Sequence, residues 1–195
     1  MNDQIIIDIL KNTGVILEGH FLLTSGRHSS CFLQCSQLLQ YPEHAETVCR
    51  LMAAPFESKR VEIVIGPAMG GVILAYEVAR HLKARALFAE PSEGGMTLRR
   101  GFKIEPGEKV LVVEDAVTTG GSVQKVIDLL KVNEAEIIGV SVIVDRTGGN
   151  LDFGLPTRAL LNMQIESFDP ETCPLCQSGQ PLQKPKGRPK QQGRS

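Results

Sequence analysis

Apolar residues recur along this chain with two periods, and the alternation between them predicts most of its elements. Residues 3–11 carry Ile5, Ile6, Ile9 and Leu10 at helical spacing before the stop Asn12-Thr13-Gly14, so an amphipathic helix opens the chain. Residues 19–30 hold two short strand-like runs around a polar turn with Ser25-Gly26 at its tip, which predicts a hairpin. Residues 42–54 start with a proline tolerated in a first helical turn and set Ala45, Val48, Leu51 and Met52 on one face. Residues 61–65 form a short strand that ends in Gly66-Pro67-Ala68-Met69-Gly70-Gly71. A helix follows, with Val72, Ala75, Val78, Ala79 and Leu82 on its buried face. Residues 85–89 give a third strand. The run 110–113 is uninterrupted and β-branched, the pattern of a strand covered on both faces in a parallel sheet. Val126, Ile127, Leu129 and Leu130 mark another helix, 136–144 another strand, and 157–167 a closing strand pair. Strands alternating with helices predict a doubly wound α/β domain, a parallel sheet flanked by helices.

Composition adds bounds. The 195 residues suit one domain, placed at 1–176, and 42% apolar with 22% charged residues is an ordinary globular balance. No apolar run approaches ~20 residues, so no membrane span is expected. The amino terminus lacks the basic segment and apolar core of a secretory signal, so a cytoplasmic protein is expected, and five cysteines, an odd number, suit reduced thiols. The net charge of −1 hides a basic end: Lys184, Lys186, Arg188, Lys190 and Arg194 lie in a stretch without acids. Residues 177–195, rich in Gly, Pro, Gln and Lys, are expected to be a disordered, solvated tail, with no nucleic-acid partner.

The candidate chemistry centres on residues 109–123. The strand is expected to stop at two adjacent carboxylates, Glu114 and Asp115. Ala116, Val117, Thr118, Thr119, Gly120, Gly121 and Ser122 then lead into a helix beginning near Gly121 or Ser122. Hydroxyls and glycine backbone N–H groups at a helix N-terminus are a physical recipe for holding a phosphate. Two neighbouring acids need compensation from whatever binds beside them. The pattern is neither a Walker A loop nor a dinucleotide fingerprint. The turn at Gly70 and Gly71 reads either as a second backbone grip for an anion or as a simple close approach of helix and strand. The connection 90–108 has the length of a lid, and Arg99, Arg100 and Lys103 on it would bring positive charge to an anionic leaving group. Arg146, after a buried strand, can fork onto a carboxylate.

Residues 112–122, Val-Val-Glu-Asp-Ala-Val-Thr-Thr-Gly-Gly-Ser, resemble the signature of type I phosphoribosyltransferases, and Phe21-Leu22-Leu23-Thr24-Ser25-Gly26-Arg27 is similar to the amino-terminal part of the orotate enzymes of that family. The resemblance covers roughly residues 19–149, and it implies that small hood elements over the base lie inside residues 1–41. It implies that Glu114 and Asp115 meet the ribose hydroxyls of phosphoribosyl pyrophosphate (PRPP), that residues 116–122 wrap its 5-phosphate, and that Gly70 and Gly71 grip its pyrophosphate. It implies that Ser25, Gly26, Arg27, Phe32, Thr118 and Arg146 lie near the base, Arg146 holding the carboxylate of orotate. It further implies Mg2+ as cofactor, with no dedicated protein cage for the metal, and a homodimer in which Arg99, Arg100 and Lys103 act with Asp115 in catalysis from a lid shared between subunits. Thr24 stands where many members carry lysine, and no lysine occurs near Gly70, so the pyrophosphate would be held by backbone dipoles and Mg2+. The activity implied is orotate plus PRPP giving orotidine 5-phosphate and pyrophosphate in pyrimidine nucleotide synthesis. Transfer to another base, or a non-catalytic PRPP-sensing regulator, are the alternatives.

Cys31 and Cys35 alternate with Leu33 and are expected to face a core, while His28 reads equally as a surface residue or a ligand. Cys173-Pro174-Leu175-Cys176 is a single CxxC, and no second pair with the usual spacing follows. Free thiols and no protein metal site are expected, with a zinc shared across a dimer or a redox role as the weaker alternatives.

Overall fold

A computed structural model of the chain describes residues 2–23 and 25–184. It opens with α1 (Asn2–Asn12) and the antiparallel hairpin β1 (Ile16–Leu22) and β2 (His28–Leu33), followed by α2 (Ser36–Leu39) and α3 (Pro42–Ala53). The alternating part comprises β3 (Ile63–Pro67), α4 (Gly70–Leu82), β4 (Arg85–Ser92), β5 (Gly95–Thr97), β6 (Lys109–Val117), α5 (Gly121–Val132), β7 (Glu136–Asp145) and β8 (Thr157–Asn162). A short β9 (Ser167–Phe168) and α6 (Pro174–Gln177) follow. Among the described residues, no helix is long and apolar enough to cross a membrane.

The expected doubly wound sheet forms, in the order β5-β4-β3-β6-β7-β8, parallel except for the antiparallel edge strand β5. Period-two alternation divides its side chains between two cores. Val64, Leu111 and Val113 pack with Val48, Leu74 and Val78 from α3 and α4, while Ile63, Ile65, Val110 and Val112 pack with Val126, Ile127 and Leu130 of α5. Each such side chain, fully buried, contributes roughly 1.5–3 kcal/mol, which is why these strands are apolar on both faces. From β3 the sheet grows one way to β4, and from β6 the other way to β7 and β8. The reversal between β3 and β6 leaves a crevice at their carboxyl ends, the place where open α/β sheets bind ligands.

Four local expectations change. β6 does not stop at the acids: its parallel ladder with β7 carries on through Glu114 to Val117, which is paired with Asp145. Residues 157–167 do not pair with one another, because β8 extends the main sheet beside β7 while β9 joins β2 in a separate sheet ordered β1-β2-β9. The connection 90–108 is not a bare loop. Residues 90–92 and 95–97 form a hairpin, Ile104 is buried against the α5 side of the core, and Phe102 packs edge-on against Phe88 at 5.1 Å. Part of the expected tail is also ordered: Gln183 N–H donates to His20 C=O at 2.7 Å, and Leu22 N–H to Gln183 C=O at 2.9 Å. Thr24 and residues 185–195 of the tail lie outside the described residues.

Candidate active site

Three strand ends and one helix start build the crevice. A cavity of about 480 Å³ is lined by Pro67, Ala68 and Gly70 after β3, by Pro91, Ser92, Gly95 and Met96 of the β4–β5 hairpin, by Glu114, Asp115 and Ala116 of β6, and by Ser122 and Lys125 of α5. A smaller one of about 70 Å³ adjoins it through Glu114, Ala116 and Ser122 and is enclosed by residues 116–123. This cradle sits at the amino end of α5, whose first N–H groups have no partner inside the helix.

Gly120 makes the cradle possible. It caps α5 with φ +77°, a conformation that L side chains rarely adopt, and a Cβ there would come within 2.8 Å of the Phe153 ring. Gly120→Ala is expected to cost about 1–3 kcal/mol of stability and to weaken phosphate binding at the cradle as the loop shifts; urea unfolding and a phosphate titration read the two effects.

The turn after β3 uses its glycines differently. Gly66 and Gly71 touch backbone to backbone, and a Cβ on Gly71 would lie 2.7 Å from Gly66 Cα, so packing alone demands glycine at both. Gly70 faces the cavity instead, where a Cβ would sit 3.0 Å from Asp115 Oδ2. The two glycine-rich turns therefore meet at Asp115.

The acids are held by their own backbone. Asp115 N–H donates to Glu114 Oε1 at 3.1 Å, and Ala116 N–H to Asp115 Oδ1 at 2.6 Å. Burial pushes the Glu114 carboxyl up from 4.5 to about 8, with the charge of Asp115 adding to the rise, and burial pushes Asp115 up as well. Folding thus favours a proton on Glu114 that the unfolded chain releases above its ordinary 4.5. Without ligand, the stability linked to that proton is full below this value and is lost as pH rises through about 8. Glu114→Gln should flatten this loss, which a series of thermal midpoints against pH measures.

Other predicted residues are placed less centrally. Arg146 follows Asp145 at the end of β7, with its N–H on Val117 C=O at 2.8 Å, next to the signature loop. Burial raises the thiols of Cys31 and Cys35, and the charge of Arg146 acts against that rise, so its guanidinium lies near both, and it is not among the residues that line the two cavities at Glu114. Thr118 and Thr119 are exposed at the cradle. Arg27 lies across β2 and β9, donating to Ser167 Oγ at 2.9 Å and to Ser167 C=O at 2.6 Å. Gly26 turns the hairpin with φ +82°, and Ser25 Oγ accepts from Arg27 N–H at 3.4 Å. Phe32 is buried, its ring 5.8 Å from that of Phe21, so it packs inside the hood.

Arg99, Arg100 and Lys103 do not line the cavity that holds Asp115. Arg100 pairs with Glu90 at 2.8 Å and lies over the Phe88 ring, Arg99 is exposed, and Lys103 borders a different cleft beside α5. Sequence reasoning missed Lys125, one helical turn beyond Ser122 and lining the main cavity. That i, i+3 spacing from a phosphate-loop serine was the available signal.

Residues 34–152 match the model of the phosphoribosyl transferase domain. The chain is 53% identical to the orotate phosphoribosyltransferase of Caldicellulosiruptor bescii over 190 residues, 97% of this chain and 100% of that protein. It is 54% identical to that of Thermotoga maritima over 181 residues, covering 93% and 97%. The crystal structure of orotate phosphoribosyltransferase from Aeropyrum pernix superposes with a TM-score of 0.70 at 28% identity, covering 80% of this chain and 93% of that one. The chain belongs to the phosphoribosyltransferase family. Within it, the relatives it resembles over nearly its full length are named orotate phosphoribosyltransferases.

Proposed function

We propose that the chain transfers the 5-phosphoribosyl group from PRPP to orotate, giving orotidine 5-phosphate and pyrophosphate in pyrimidine nucleotide synthesis. The observation that carries this reading is the union, at the sheet's reversal point, of a phosphate-sized cradle with a paired carboxylate and a wider cleft. The names of the relatives support the choice of orotate.

The 5-phosphate fits the α5 N-terminus, where backbone N–H groups and the Thr118, Thr119 and Ser122 hydroxyls converge. Glu114 and Asp115 then reach the ribose hydroxyls, whose donated hydrogen bonds compensate the two buried acids. The pyrophosphate lies toward Gly70, with the Lys125 ammonium facing the same cleft. As the C1–O bond breaks, the ribose becomes oxocarbenium-like, and the orotate nitrogen attacks from the opposite face with its carboxylate on Arg146. Positioning and charge stabilisation supply the catalysis.

Mg2+ bound with PRPP would neutralise charge on the departing pyrophosphate. The site fits it: Glu114 and Asp115 are the acidic groups lining the cleft, and a hard cation held by one or two carboxylates and substrate oxygens needs no more. Arg99, Arg100 and Lys103 lie off the cleft of their own chain, as suits a homodimer in which this segment serves the partner's cleft, and a cytoplasmic location completes the reading.

An acceptor panel tests the choice of base. With PRPP and Mg2+, orotate should release pyrophosphate while uracil, adenine and hypoxanthine do not. Release with a purine, or equally with uracil, would reassign the substrate.

A further inference from the structure

The hood hairpin and the carboxyl-terminal segment meet at four side chains that the reaction does not use. His20 on β1, His28 on β2, and Cys173 and Cys176 around α6 bring one ligand atom each to within 4.8 Å of one another, and His20, His28 and Cys173 are buried. From these we infer a structural zinc site of Cys2His2 type that staples the hood to the carboxyl-terminal segment.

The distances have the shape of a coordination tetrahedron. With Zn–N of about 2.05 Å and Zn–S of about 2.3 Å, such a tetrahedron has edges of about 3.3 Å for N···N, 3.5 Å for N···S and 3.8 Å for S···S. The edges here are 3.0 Å from His20 Nε2 to His28 Nδ1, 3.6 Å from Cys173 Sγ to His20 Nε2, 3.7 Å from Cys176 Sγ to His20 Nε2, and 3.3 Å from Cys176 Sγ to His28 Nδ1. The two remaining edges, from Cys173 Sγ to Cys176 Sγ and to His28 Nδ1, lie within 4.8 Å.

The proton placement points the same way. His20 Nδ1 lies 2.8 Å from Gln180 C=O. A carbonyl oxygen only accepts, so Nδ1 carries a proton, and in the neutral ring Nε2 presents its lone pair to the cluster. One lone pair faced by another ring nitrogen and two sulfurs cannot satisfy all three neighbours, whereas a cation at their centre accepts from all four. A carbonyl behind a ligating imidazole is also the usual arrangement that fixes ring and tautomer at zinc. Gln180 belongs to the same segment whose Gln183 pairs with β1, so the ion would close a clasp already begun by backbone hydrogen bonds.

Two imidazoles and two thiolates select zinc over harder cations, and four protein ligands leave no open position for substrate, so the role is structural. The pairing was hidden in the sequence because the second ligand pair is histidine, split across a hairpin eight residues apart and joined to the CxxC only by folding.

The test uses the full chain under reductant, with zinc and then cobalt(II) as probes. Metal analysis after reconstitution and dialysis should find about one zinc per chain. The cobalt(II) form should show thiolate charge-transfer bands and intense tetrahedral ligand-field bands. Cys176→Ser changes an exposed residue by one atom and should keep its circular dichroism while binding cobalt at least about tenfold more weakly. Chelation should lower the thermal midpoint of the unaltered protein by more than about 5 °C and leave that of Cys176→Ser nearly unchanged. Zinc below about a tenth of an equivalent under reductant, or cobalt spectra and affinity unaltered in Cys176→Ser, would overturn the site.

Discussion

Asp115→Asn is expected to raise the KM for PRPP by about 10- to 100-fold while leaving the ligand-free protein as stable or more so. The first effect follows from losing charge-assisted hydrogen bonds to the ribose, each worth about 1.5–3 kcal/mol. The second follows from the cost of burying an acid: burial raises the Asp115 carboxyl, so replacing it with an amide removes the desolvation of its charge. The amide oxygen can still accept from Ala116 N–H, the 2.6 Å contact that anchors the side chain. Steady-state kinetics and a thermal melt measure the opposed effects. Loss of stability with PRPP binding intact would remove Asp115 from the ribose and make it a folding residue.

Arg146→Ala should lower kcat/KM for orotate by about 30- to 1,000-fold, the loss of a bidentate guanidinium–carboxylate pair of about 2–4 kcal/mol. The KM for PRPP should move less than about threefold, because the cradle and the acid pair belong to β6 and α5. The local backbone is held independently of the side chain: Arg146 N–H bonds to Val117 C=O, and Asp145 Oδ1 accepts from both the N–H and the hydroxyl of Thr147 at 2.7 Å. An equal loss toward both substrates would contradict the orotate role.

How much of this was legible in the sequence depended on whether a feature was local. The β6 strand, the acids and the helix opening at Gly121 are contiguous, so pattern and chemistry could be read together, and only the strand's end was misplaced, because its ladder with β7 is a long-range fact. Helices α1, α3, α4 and α5 were legible from their apolar stripes. The hood was legible as a hairpin but not in its function. Phe32 proved to be packing for Phe21, and Arg27 to be tied to Ser167, some 140 residues away in the chain. The polar connection 90–108 misled for a physical reason: four buried or half-buried side chains, Met96, Leu98, Phe102 and Ile104, suffice to dock it, too few to stand out against its charges and glycines. The ordered part of the tail was likewise invisible to composition, since Gln183 is held by backbone hydrogen bonds rather than by an apolar side chain.

Orotate consumption, followed by its ultraviolet absorbance with PRPP and Mg2+ present and each omitted in turn, tests the proposed reaction most directly. Absorbance should fall only when PRPP and Mg2+ are both supplied, with orotidine 5-phosphate and pyrophosphate formed in equal amounts. No loss of orotate from a folded chain that still binds PRPP would contradict it.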